Sequence, residues 1–175
     1  WRVRRLVMSF KPLKRLVKHL FIWPGIVKQY FPKESMQRIE NAIAASEKSH
    51  FGEICFVVES NLHAFDVVRK VSAKKRAIEV FSEFHVWDTA QNNGVLIYLL
   101  LADHDFEVVA DRGIHHHVGN EGWEQISREM EKHFKRGDFE LGVLHGIAKI
   151  TEHLDRHFSS DSENTNELSN APIVI

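Results

Sequence analysis

Cysteine is nearly absent from this chain of 175 residues. Cys55 stands alone in an apolar run, so no intrachain disulfide can form and the paired spacings of zinc fingers are missing. This is compatible with a reducing compartment. Long apolar runs are absent too: no window approaches the ~20 residues of a membrane span. Lys18 and His19 interrupt the opening where the apolar heart of a signal peptide would sit. The expectation is a cytoplasmic protein, at most peripheral to a membrane. There is no phosphate-binding glycine loop and no Gly-x-Ser-x-Gly elbow, which removes two common routes to nucleotide and acyl chemistry. Acid is missing from the first 33 residues, which carry nine Lys/Arg; the remainder carries fourteen Lys/Arg against all twenty-four Asp/Glu.

That asymmetry separates an N-terminal segment, residues 1–31, from an acidic body. In "LVMSFKPLKRLVKHLF", Leu6, Phe10, Leu13, Leu16, Val17, Leu20 and Phe21 recur at helical spacing, with Lys11, Lys14, Arg15 and Lys18 between them and Pro12 inside the pattern. Two readings fit a basic amphipathic helix. It touches an unknown protein partner or an anionic membrane surface, or it folds back on its own acidic domain. Nucleic acid is not expected as a partner, because the body is acidic and the arm has no recognisable binding fold.

The body, 32–158, alternates helix and strand. "PKESMQRIENAIAASEKSH" reads as helix with Met36, Ile39, Ile43 and Ala44 on one face, and "EICFVVES" as a buried strand. "AFDVVRKVSAKKRAIEVFSEFHV" reads as one helix, and "GVLIYLLLA" with "FEVVA" as two strands joined at "DHD". Beyond Gly119 come two further helices, divided at Gly137. Residues 159–175 read as a polar flexible tail with an apolar end, "APIVI". A crossover helix makes the first two strands parallel, and the hairpin returns the third antiparallel to them. Glu53, Asp88, Asn92, Asn93, Asp111, Arg112 and His115 to His117 then gather at one pole, and Glu59, Asn61, His63, Asp103, His104 and Asp105 at the other. The rule that open α/β sheets bind ligands beyond the carboxyl ends of parallel strands favours the second pole.

Single motifs are weak guides. In "DRGIHHHVG" three consecutive histidines point to opposite faces of a strand or fan around a helix, so at most two readily converge on a metal. His153 and His157 have the i, i+4 spacing of a zinc helix, but Leu154 stands where the metalloprotease pattern wants Glu. "LLLADHDFE" resembles the aspartyl-nucleophile strand of haloacid-dehalogenase phosphatases, yet the immediate return into a strand argues for a turn.

The combination "VWDTAQNNGVLIYLLLADHDFEVVADRGI", Trp123 and "FKRGDFELGVLHGI" is more specific. It closely resembles the TPM domain, also called the TPM phosphatase-like domain, over about residues 35–158, and "NELSNAPIVI" is similar to the ending of short bacterial members. The resemblance implies a Rossmann-like three-layer α/β/α sandwich, with a small mixed β-sheet and helices on both faces. Acid phosphatase activity is attributed to some relatives and calcium binding to others, and many are exported or membrane-anchored. It also moves weight to the first pole. Asp88, Asn92, Asn93 and Gly94 correspond to the family's polar stretch before the central strand, and Arg112 with Gly113 to its basic-glycine step. Asp88 and Asp111, with Asn92, Asn93 and Glu53 as weaker contributors, would make a hard-oxygen site for Ca2+ or Mg2+, with no organic cofactor. Asp88, Asp111 and Arg112 are also the candidates for metal-assisted acid phosphatase chemistry. Turn chemistry alone accounts for the same residue types: Asp88 capping a turn, Asn93-Gly94 setting its backbone, and Arg112 pairing with Asp111. A non-catalytic binding or accessory domain and a phosphomonoester phosphatase are therefore both open.

Overall fold

A computed structural model describes residues 12–23, 25–160 and 166–175. The part of the amphipathic pattern carried by residues 1–11 lies outside these. The described residues form seven helices and four strands. Helix α1 (Pro12–Leu20) begins on the proline, at the first helical position, where a missing N–H breaks no intrahelical bond. Helices α2 (Ile26–Tyr30) and α3 (Lys33–Ser46) lead into strand β1 (Glu53–Glu59). Helices α4 (Ala64–Val68) and α5 (Ala73–Glu83) cross over to β2 (Gly94–Leu100), and a tight turn returns as β3 (Asp105–Ala110). Helices α6 (Arg112–Phe134) and α7 (Phe139–His157) follow, and the short strand β4 (Ile173–Val174) comes last.

The sheet order is β3-β2-β1-β4. β1 runs parallel to β2 and to β4, while β2 and β3 are antiparallel, giving the expected mixed sheet. Every residue of β1 and β2 is buried, which explains why both read as continuous apolar runs rather than alternating ones. Alternate side chains feed two cores. Ile54, Phe56, Val58, Val95, Ile97 and Leu99 join Ile39, Trp123, Met130 and Ile147 beneath α3, α6 and α7. Cys55, Val57, Leu96, Tyr98 and Leu100 join Val67, Ala77, Val80 and Phe81 beneath α4 and α5. The result is the Rossmann-like three-layer α/β/α sandwich.

Three elements differ from expectation. The helix expected over 64–86 is two: Lys70 takes a left-handed φ of 57°, and Ser72 restarts the chain by accepting the Lys75 N–H at 3.2 Å, an N-cap. Helix α6 begins at Arg112 rather than after Gly119, which instead makes a non-helical kink at φ 68°. The stretch expected as a flexible tail is docked along its described part. Its backbone continues the sheet, with Ile175 N–H donating to Val58 O and Ser60 N–H to Ile175 O, both at 3.0 Å. Leu168, Ile173 and Ile175 pack on the second core.

Candidate functional site

The starting edge of β1 and β2, where β3 ends, brings Asn92, Asn93, Asp111 and Arg112 onto adjoining segments because of the strand directions. Asp111 N–H donates to Gly94 O at 2.9 Å, so the loop before β2 and the start of α6 are neighbours. Asn92 O accepts from both Gly113 N–H at 2.9 Å and Ile114 N–H at 3.3 Å, and Asn93 Nδ2 donates to Phe51 O at 3.0 Å. A Cβ on Gly113 would lie 2.5 Å from Asn92 O and 2.7 Å from Gln91 O, both backbone atoms. That close approach is the physical reason for glycine at 113.

Turn chemistry is present here but distributed differently from expectation. Asn92, at φ 53°, takes the left-handed conformation expected of the Asn93-Gly94 pair. Gly94 serves packing instead, since a Cβ there would meet Val86 O at 1.9 Å. Thr89 Oγ1, rather than Asp88, accepts the Asn93 N–H at 3.0 Å. Asp88 is exposed. Asp111 is the N-cap of α6, its Oδ1 accepting the Arg112 N–H at 2.6 Å. Among the described residues no ion pair joins Arg112 to Asp111.

Glu53 is drawn away from this set. Its Oε1 accepts the Glu167 N–H at 3.0 Å and its Oε2 the Leu168 N–H at 3.3 Å, so the docked C-terminal segment occupies it. Its neighbour is Glu47, which the helical pattern did not single out. Burial, and then the charge of Glu53, push the Glu47 carboxyl up to about 8, and Glu53 is raised chiefly by its own burial. Two buried oxygens nearby have no hydrogen-bond partner: Asp111 Oδ2 and Asn93 Oδ1.

The histidine run lies on the first turns of α6 and fans as helical geometry requires. His116 and His117 are exposed, with ring centroids 5.6 Å apart, and the tightest ring contact is His117 stacked on His157 of α7 at 4.4 Å. Burial, and then His117, lower the His157 pKa. His116 and His117 line an open cavity of about 610 Å³ with Arg112, Gln91, Asn92 and Phe158. Among the described residues no group of three His, Cys, Asp or Glu is arranged to hold a metal ion. Any cation at this pole must therefore draw on amide, carbonyl or water oxygens beside the two aspartates.

The opposite pole is occupied by structural pairings. Asp103 is held by Arg15 and His19 of α1. Glu59 accepts from Tyr98 Oη at 2.5 Å and from Arg76 Nε at 3.0 Å. Cys55 is buried and free, its thiol pushed up to about 12 by burial, which leaves it without thiolate reactivity. Trp123 is a core anchor at 2% exposure, whereas Trp87 is surface-exposed.

No helix among the described residues is long and apolar enough to cross a membrane. The solved structure of BA42 protein, from the psychrophilic bacterium Bizionia argentinensis, is similar, with a TM-score of 0.72 and 29% sequence identity over 81% of this chain and 93% of that one. No protein of curated function matches at a significant level. The profile of the TPM domain matches residues 27–153, which include nearly all the buried members of both cores and the whole first pole but not β4. By that match this chain belongs to the TPM domain family.

Proposed function

We propose that this protein is a non-catalytic binding domain that takes a divalent cation, Ca2+ or Mg2+, at the pole formed by Asp88, Asn92, Asn93 and Asp111. The observation that carries this reading is the pair of buried, unpartnered acceptor oxygens, Asp111 Oδ2 and Asn93 Oδ1, on residues flanking the first rung between β2 and β3. A buried acceptor without a donor costs roughly 1–3 kcal/mol, and a hard cation would recover that cost. Asp88 supplies a second carboxylate from solvent, and Glu53 contributes nothing because its oxygens already hold the backbone of 167–168. The single buried, unpaired Cys55 supports a reducing, cytoplasmic setting for this activity.

Titration with calcium and with magnesium, followed by backbone amide shifts, should move residues 88–94 and 111–113. Asp111→Asn, which keeps an N-capping oxygen but removes the charge, should weaken the response by an order of magnitude or more. Shifts confined to 101–105, or a response unchanged in Asp111→Asn, would dismiss this site.

A second reading, acid phosphatase, has one observation in its favour. Arg112, His116 and His117 together line an open cavity, one fixed cation and two imidazoles that can hydrogen-bond a phosphoryl group. A bound cation would polarise the phosphoryl oxygen there. Release of phosphate from a generic phosphomonoester should then disappear in Arg112→Ala and Asp88→Ala. Absence of turnover in the wild type leaves the binding reading alone.

A further inference from the structure

Helix α1 is mounted with its polar side towards the protein. Arg15, Leu16 and His19 face the domain: Arg15 Nε reaches both Asp103 oxygens at 3.1 Å, and Arg15 Nη2 reaches Asp103 Oδ2 at 2.7 Å and Val71 O at 2.6 Å. His19, 2% exposed, accepts the Leu62 N–H on Nδ1 at 2.9 Å. Its proton therefore sits on Nε2, which donates to Asp103 Oδ1 at 3.1 Å. Burial by itself would raise Asp103, but the hydrogen bonds from His19 and Arg15 outweigh it and hold the carboxyl at about 2. Polar contacts thus fix the rotation of α1 about its own axis.

That rotation turns the apolar stripe outward. Leu13, Val17, Leu20 and Phe21 follow i, i+4, i+7, i+8 spacing and are 73%, 47%, 56% and 81% exposed, and Trp23 just beyond is 67% exposed. The neighbouring α4 adds Phe65 and Val68, each 65% exposed, so seven of the ten large apolar side chains exposed among the described residues belong to this one end of the molecule. Scattered exposed apolar residues need no explanation, whereas a concentration of this kind marks a surface that is covered in use. The charge around it selects the cover. Lys14 lies beside the stripe and is exposed, and Arg69 stands over the Phe65 ring at 4.5 Å. Cations flanking an apolar face, with a Trp and a Phe at its end, match an interface that is hydrocarbon at its centre and anionic at its margin.

We infer that the outward face of α1, with Phe21, Trp23 and the exposed apolar residues of α4, docks this domain flat on an anionic phospholipid bilayer. The surface lies at the end of the sheet opposite the proposed cation site, so the inference stands independently of it. The test is co-sedimentation of the full chain with vesicles of phosphatidylcholine alone or mixed with phosphatidylglycerol, in parallel with analytical ultracentrifugation without lipid. Binding to the mixed vesicles is expected, with little to neutral ones. Lys14→Ala should weaken it about five-fold, since one cation near such a surface is worth about that much. The pair Leu20→Asp and Phe21→Asp should abolish it while leaving the thermal melt of the domain in place, because both side chains are exposed. Failure of the wild type to pellet with mixed vesicles would overturn the inference. So would equal pelleting by the Asp variants, equal binding to neutral vesicles, or a lipid-indifferent dimer that the Asp variants dissolve, which would make a second copy the cover.

Discussion

Glu47 and Glu53 are neighbouring buried carboxylates in different surroundings. Burial, and then the charge of Glu53, push Glu47 up to about 8, so Glu47 is the one that keeps a proton near neutrality. Glu53 in turn holds the backbone of 167 and 168, and Glu47 is hydrogen-bonded to Asn170. A proton kept in the folded state, where an unfolded glutamate has lost it, is released on unfolding, so raising the pH favours the unfolded chain. Stability should therefore fall as pH rises from the ordinary carboxylate value of 4.5 to about 8, the window set by Glu47. Glu47→Gln, which keeps a donor and cannot ionise, should flatten that fall in thermal melts recorded across the window. An undiminished slope in the variant would show that another group carries it.

At the level of elements, the close approach between the start of α6 and the loop before β2 is the most constrained joint of the site. Gly113→Ala would press a methyl group to within 2.5 Å of a backbone oxygen that cannot rotate away. The expected outcome is a loss of 1–3 kcal/mol in chemical denaturation, as for other overpacked positions. Amide shifts should spread through 91–94 while those of α5 stay in place. Ser72→Ala, by contrast, removes only the N-cap of α5 and should cost about 1 kcal/mol with the site undisturbed.

Such local joints also mark the boundary of what pattern reading reaches. The three long strands are legible as short apolar runs, and α3, α7 and the part of α6 beyond Gly119 from their apolar periods, and the approach of the loop at 92–94 to 111–113 follows from strand direction. The break between α4 and α5 was not legible, since Val67, Val71, Ala77 and Phe81 keep a helical period straight through Lys70. The start of α6 was missed because "IHHH" offers little amphipathic signal; its cap is Asp111, a residue already assigned another role. Nor could any period reveal that 167–168 would sit on Glu53. That contact is a polar backbone segment docking on a buried carboxylate, with no repeating pattern on either side.

Across the whole molecule, the two ends of the sheet are built for different tasks. The starting edge concentrates unpartnered oxygens, an open cavity lined by Arg112 and the docked C-terminal segment. The far end carries the apolar, basic surface of α1 and α4. Between them the sheet is closed on one side by β4, whose two residues pair with Val57 and Val58. Deleting residues 166–175 should uncover Glu53 and the β1 edge together. The expected result is a lower melting temperature and concentration-dependent association in ultracentrifugation, and a truncated chain that stayed monomeric and equally stable would contradict it.

The origin of β4 also sets an order of events in folding. The buried members of both cores all precede it, with Ile173 and Ile175 only capping the second, so β1 can be sandwiched between helices while its outer backbone groups still lack a neighbour. Until residues 166–175 arrive, that strand is an open template, and two unfinished chains can each offer the other the pairing that the chain's own ending later provides.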